Sequence, residues 1–164
     1  MNAKIVNGMK SIFGSDQRRI DHSLEVLKYA CIICDEEYPG DSSLREIVEM
    51  SAVLHDIGIK QAEAIYNSAA PVHQHREGPP IAQNILKNAK VDDQYIARVL
   101  YIIGHHHLKS KINGPDFQVL WESDLIVNIP YFPIYRESFD KYKKMIANNF
   151  KTRTGTQIAL GLYK

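Results

Sequence analysis

The stretch "SLREIVEMSAVLHD", residues 43–56, decides how the rest of the chain is read. Leu44, Val48, Ser51, Ala52 and His55 recur at helical spacing, so a histidine falls on the face that a helix buries. Asp56 follows at the helix end, where the macrodipole is unfavourable to a carboxylate. Gly58 comes next, a residue suited to ending a helix in the left-handed conformation. A buried histidine beside an aspartate at a helix C-terminus is explained if a cation sits against both. A chance His-Asp pair is the competing explanation on this stretch alone.

Helical periodicity continues on both sides, and strand alternation is scarce. Ser15 or Asp16 can cap a helix that stops near Glu37 at "YPGD", and Ser42 or Ser43 the helix that carries His55. A short helix is predicted over residues 60–67. A loop follows in "SAAPVHQHREG", and "PP" at 79–80 opens a helix to about Asn88. Asp92 or Asp93 begins another that reaches Gly104; "KSKINGPD" reads as a loop, and a helix spans 116–128. "IPYFP" breaks the chain, with helix again over 136–149 and after Gly155. This pattern predicts an all-α, single-domain helical bundle of about seven helices spanning 1–164. Its core covers about 16–129 and a C-terminal helical extension about 130–164.

The chain has 164 residues, 45% apolar and 24% charged, enough for one domain with a real core. A net charge of +1 argues against a nucleic-acid polymer or an acidic membrane as partner. Cys31 and Cys34 form one CxxC on a helical pattern. A structural zinc wants four ligands, so two small core residues are the better reading. Low cysteine use and the absence of a leader-like apolar run in "MNAKIVNGMKSIFG" suit a cytoplasmic protein.

Three further stretches place polar side chains among apolar ones. In "RRIDHSLEVLKYACIIC", His22 sits at the edge of the apolar arc beside Val26, Tyr29 and Ile33, with Arg19 one turn before it. In "YIIGHHHLK", His105, His106 and His107 follow a strongly apolar helix. In "FQVLWESDLIVNI", Asp124 lies among Leu120, Trp121, Leu125 and Val127. Buried polar groups need partners, and a buried carboxylate needs positive charge.

The order His22, then His55-Asp56 in a literal "HDIG", then a histidine cluster, then Asp124 resembles the HD superfamily of metal-dependent phosphohydrolases, HDIG type. The resemblance runs from about Asp16 to Ile129. It implies that His22, His55, Asp56 and Asp124 coordinate one divalent ion, of Mn, Fe, Ni, Co or Zn. A second ion would rest on His75, His105 and His106, with His73 an equal candidate for the place of His75. Asp56, His105 and His106 are then the catalytic candidates, the histidines as ligands or as general acid. Arg19, Lys109 and Glu77 are candidates for holding substrate. The "GYP" extension of cyclic dinucleotide phosphodiesterases is absent, "HHHLKSKINGPDF" standing in its place.

The resemblance therefore implies hydrolysis of a phosphate ester, a nucleotide or a relative of one, through a metal-activated water. A diiron oxygenase of the inositol-oxygenase type and a non-catalytic metal-containing ligand-sensing domain are the alternatives. The expected partner is a small-molecule phosphate; a homodimer is left open.

Overall fold

The computed structural model describes residues 1–133 and 138–162. Nine α-helices occur among them: α1 (Ala3–Phe13), α2 (Gln17–Glu37), α3 (Ser42–Leu54), α4 (Ile59–Tyr66), α5 (Pro71–Asn88), α6 (Asp93–Ile103), α7 (Pro115–Asn128), α8 (Phe139–Asn149) and α9 (Arg153–Gly161). The described residues contain no strand. The amphipathic entry is itself a helix, α1, which buries Ile5, Met9 and Phe13. The beginning expected at residue 136 lies outside the described residues; α8 is described from Phe139.

Helix starts follow the capping chemistry of short acceptors. Asp16 accepts from the backbone N–H of Arg19 at the start of α2. Asp41, rather than Ser42 or Ser43, caps α3 by accepting from Leu44 N–H. Pro115 occupies the first turn of α7, where its missing N–H costs nothing.

Helix α3 is the axle. Residues 48–55 are all buried, so the helix is apolar nearly all round, as a central helix must be. Val48 and Ala52 join a core with Val26, Ala30, Ile33, Leu120, Tyr142 and Ile146. Met50, Val53 and Leu54 face a second core with Ile5, Phe13, Leu86, Val99 and Ile103. Each such large apolar side chain contributes about 1.5–3 kcal/mol. Helices α2, α3 and α7 pack against one another and so bring together segments a hundred residues apart.

Two expectations are corrected. The predicted loop "SAAPVHQHREG" is mostly helix, because α5 begins at Pro71 and carries Pro79 and Pro80 inside it. Proline at Pro71 opens the helix, and Pro79 and Pro80 forgo two backbone bonds in its middle. Gly58 is not a left-handed terminator; its φ is −79° and ψ −13°. Its purpose is close approach, since a Cβ there would lie 2.6 Å from the backbone N of Gly78 and 2.6 Å from the carbonyl of Gln74.

The end of the chain is tied down by a buried carboxylate. Glu122 accepts from the backbone N–H groups of Lys151 and Thr152, the Thr152 hydroxyl and the Gln118 amide. Thr152 in turn caps α9. Arg98 forks onto Asp116 at 2.6 and 2.7 Å, joining α6 to α7 across the segment that follows the histidines.

Candidate metal centre

The polar side chains of α2, α3 and α7 converge in the space between them. His22 Nε2 lies 3.2 Å from His55 Nε2 and 3.1 Å from Asp124 Oδ1. Asp56 Oδ2 lies 3.4 Å from His55 Nε2 and 3.7 Å from His22 Nε2. Three other histidines arrive, one from α5 and two from the turn after α6. His75 Nε2 is 3.2 Å from His107 Nδ1, and the rings of His106 and His107 are 3.9 Å apart. Asp56 stands between the two groups, because its other oxygen, Oδ1, faces His106 Nε2 at 3.4 Å.

Local backbone explains the pointing. His55 Nδ1 donates to Ala52 O at 2.9 Å, and His106 Nδ1 donates to Ile103 O at 2.8 Å. A carbonyl only accepts, so each Nδ1 carries the hydrogen and each Nε2 turns a bare lone pair inward. Asn128, one turn after Asp124, donates to Asp124 Oδ1 at 2.9 Å and to the Asp124 carbonyl at 3.0 Å, which holds the carboxylate in place.

Lone pairs facing carboxylate oxygens repel unless a positive charge lies among them. In the metal-free protein a proton can serve. Burial works against charge on His55, but Asp56 and Asp124 prevail and hold its pKa well above the ordinary imidazole range. Burial likewise opposes charge on the two aspartates, yet the facing histidines keep both carboxyls well below their usual range. His106 Nε2 is buried with no hydrogen-bond partner. A divalent ion suits the same donors, since ligands held about 2.1 Å from a metal lie roughly 3–3.5 Å from one another. His22, His55 and Asp124 offer ligand atoms all within 4.8 Å of one another, and so do His75, His106 and His107. The residues present fit the group.

Other expected positions fall elsewhere. His105 turns its Nδ1 to Tyr101 O at 2.7 Å and packs its ring on Tyr101, so His107 takes the place expected for it. His73 stacks on Tyr66 with centroids 4.1 Å apart, leaving His75 to reach the histidine group. Lys109 donates to the Asn148 carbonyl, and Glu77 accepts from Tyr66 O–H at 2.8 Å; neither lines the cleft. Arg19 does line it, but forks onto Glu63 at 2.6 and 3.0 Å and pairs with Asp16 at 3.0 Å.

The cleft over the aspartates, about 200 Å³, is also lined by Arg18, Gln74, His107 and Asn128. None of these four was singled out for the site beforehand except His107, as one of three adjacent histidines. Arg18 is exposed at the rim. Gln74 donates to Ala69 O at 2.6 Å, which leaves its buried Oε1 without a partner. The one available signal was Asn128 at i+4 from Asp124, a helical neighbour able to donate.

The all-helical bundle thus gathers histidines and aspartates into two groups whose ligand atoms are spaced for metal ions. The family model described as the HD domain matches residues 19–148, and the chain belongs to that family. No curated protein and no solved structure matches the chain. Among the described residues no helix is long and apolar enough to cross a membrane. Both cysteines are free, with Cys34 buried in the core and Cys31 half-buried. Burial pushes the Cys34 thiol up to about 12.

Proposed function

We propose that this protein is a metal-dependent phosphohydrolase acting on a nucleotide or a related phosphate ester. The observation that carries the reading is Asp56, whose two oxygens face separate histidine groups on either side. His22, His55, Asp56 and Asp124 would hold one ion; His75, His106 and His107, with the second oxygen of Asp56, would hold another. Mixed nitrogen and oxygen donors suit Mn²⁺, Fe²⁺, Ni²⁺, Co²⁺ or Zn²⁺ better than Ca²⁺. Divalent ions held there supply an acidified water and a Lewis acid for a phosphoryl oxygen.

The side chains of the cleft do the remaining work. Arg18 and Arg19 bring positive charge to the rim, where an anionic ester would enter. Arg19 is kept in position by Asp16 and Glu63, while the exposed Arg18 is free to follow the phosphate. Gln74 lines the same cleft, its amide held by the Ala69 carbonyl. Desolvation and the neighbouring His106 hold His107 down to about 4 although the residue is exposed, so at neutral pH it is an unprotonated ligand or base rather than an acid. Two unpaired thiols suit a reducing, cytoplasmic setting.

The test is metal analysis of the purified protein joined to a screen of phosphate esters. Asp56→Ala is expected to lose both metal and turnover. Full metal content in that variant would overturn the ligand set.

A further inference from the structure

A second cavity, about 230 Å³, opens beside the metal centre and is lined by Trp121, Leu125, Phe132, His106, His107, Asp124 and Asn128. It shares His107, Asp124 and Asn128 with the cleft that holds Arg18 and Arg19, so the two adjoin along the metal centre. Jointly they reach the lower part of the range for small-molecule pockets, roughly 300–1,000 Å³. One end is cationic, the middle carries the aspartates and histidines, and the far end is aromatic.

We infer that the Trp121–Leu125–Phe132 end of this groove binds the planar heterocycle of a nucleoside phosphate; the inference rests on the phosphohydrolase reading of the adjoining centre. The chemistry of the far wall selects that occupant. Trp121 and Phe132 offer aromatic surface on which a flat ring stacks. The Trp121 indole N–H is buried with no hydrogen-bond partner. Asn128 spends its amide N–H groups on Asp124, so its Oδ1 remains an acceptor at the cavity wall. An acceptor beside aromatic surface matches a neutral ring that carries a donor group. An alkyl chain would leave the Asn128 oxygen without a partner, at a cost. A bare sugar or polyol would bury hydroxyls against the rings. Among the described residues no Lys or Arg lines this cavity, whereas Arg18 and Arg19 line the adjoining cleft, where the anionic end of the substrate belongs.

Trp121 is the only tryptophan in the chain, so its fluorescence reports on this cavity alone. The probes are the common nucleoside 5′-monophosphates, their free nucleosides, ribose 5-phosphate and inorganic phosphate. At least one nucleoside and its monophosphate are expected to change the emission saturably, while ribose 5-phosphate and phosphate leave it unchanged. Phe132→Ala is expected to weaken that binding about tenfold or more, with metal content and circular dichroism as in the parent chain. A response to ribose 5-phosphate equal to that of the nucleotides overturns the inference. So does the absence of any response to nucleosides, or full affinity in a folded Phe132→Ala protein. Hydrolysis assays on the metal-loaded protein separate the two readings. Equal kcat/KM for ring-bearing and ringless esters keeps the hydrolase and removes the ring pocket. Saturable nucleoside binding with no ester hydrolysed keeps the pocket and removes the hydrolase.

Discussion

Gly58 and Gly78 press backbone against backbone where the turn after α3 meets α5. A Cβ on Gly58 would come 2.6 Å from the nitrogen of Gly78, a contact that neither main chain can relieve by rotating a side chain. The contact sets the spacing between Asp56, two residues before Gly58, and His75, three residues before Gly78. Gly58→Ala is therefore expected to cost about 2–3 kcal/mol and to separate His75 from His106. Thermal melting reads the first effect, and loss of bound metal the second. Gly161→Ala is the control, because no heavy atom lies within 4 Å of a Cβ built there. An unchanged melt for Gly58→Ala would show that α5 can retreat without penalty.

Among the three adjacent histidines, backbone geometry separates the ring that joins the site from the one that does not. His107 meets His75 at 3.2 Å, whereas His105 bonds to Tyr101. His107→Ala is expected to lower bound metal by about one ion, or its affinity by about 10–100-fold. His105→Ala should leave metal content as it was. Metal titration of the two variants side by side decides it, and the reverse ranking would reassign the second group to His105.

The two histidine groups should answer pH differently. His55 in the metal-free protein holds a proton against its burial because Asp56 and Asp124 face it. Loading the first group must expel that proton, so its affinity rises with pH. Desolvation and the neighbouring His106 hold His75 and His107 down to about 4, so they are already neutral at pH 7 and release nothing. Calorimetry in buffers of different ionisation enthalpy counts the protons; zero release on loading the first group would refute the assignment. The same shifts govern stability without metal. His55, raised in the folded state, stabilises in full below about pH 6.5 and loses this as pH climbs through its folded value. His75 and His107, lowered in the folded state, cost nothing above about 6.5, but the unfolded chain takes their protons first as pH falls toward 4.

Glu122 holds the C-terminal helix from inside the core. Its carboxylate accepts four hydrogen bonds, two of them from the main chain of Lys151 and Thr152. Glu122→Ala would strand buried donors and is expected to cost about 3 kcal/mol. Denaturant unfolding measures it, and hydrogen exchange should show α9 opening first. Metal content should be preserved, since Glu122 touches no ligand.

Much of this was legible in the residues themselves. A 3.6-residue apolar rhythm with acidic caps is a local property, set by helix geometry, and it defined α2, α3, α6 and α7 within a few positions. His55 and Asp56 announced themselves because one breaks an apolar face and the other sits at the wrong end of a dipole. The family match over residues 19–148 includes both. The opening of α5 was misread because proline marks a first turn more often than a helix interior. Pro79 and Pro80 stay helical since α5 is held by its packing against α1, α4 and α6.

What the chain could not disclose in one dimension is which side chains share a space. Whether His105 or His107 turns inward depends on a turn of a few residues after Gly104, where one peptide's rotation redirects a ring. That Gly58 serves closeness rather than curvature depends on where α5 lies. The cationic rim, the paired histidine groups and the aromatic end of the groove come from α2, α3, α5 and α7 and from the turns after α6 and α7. Local propensity writes helices; only their packing, driven by two apolar cores on either side of α3, decides which of their polar residues meet.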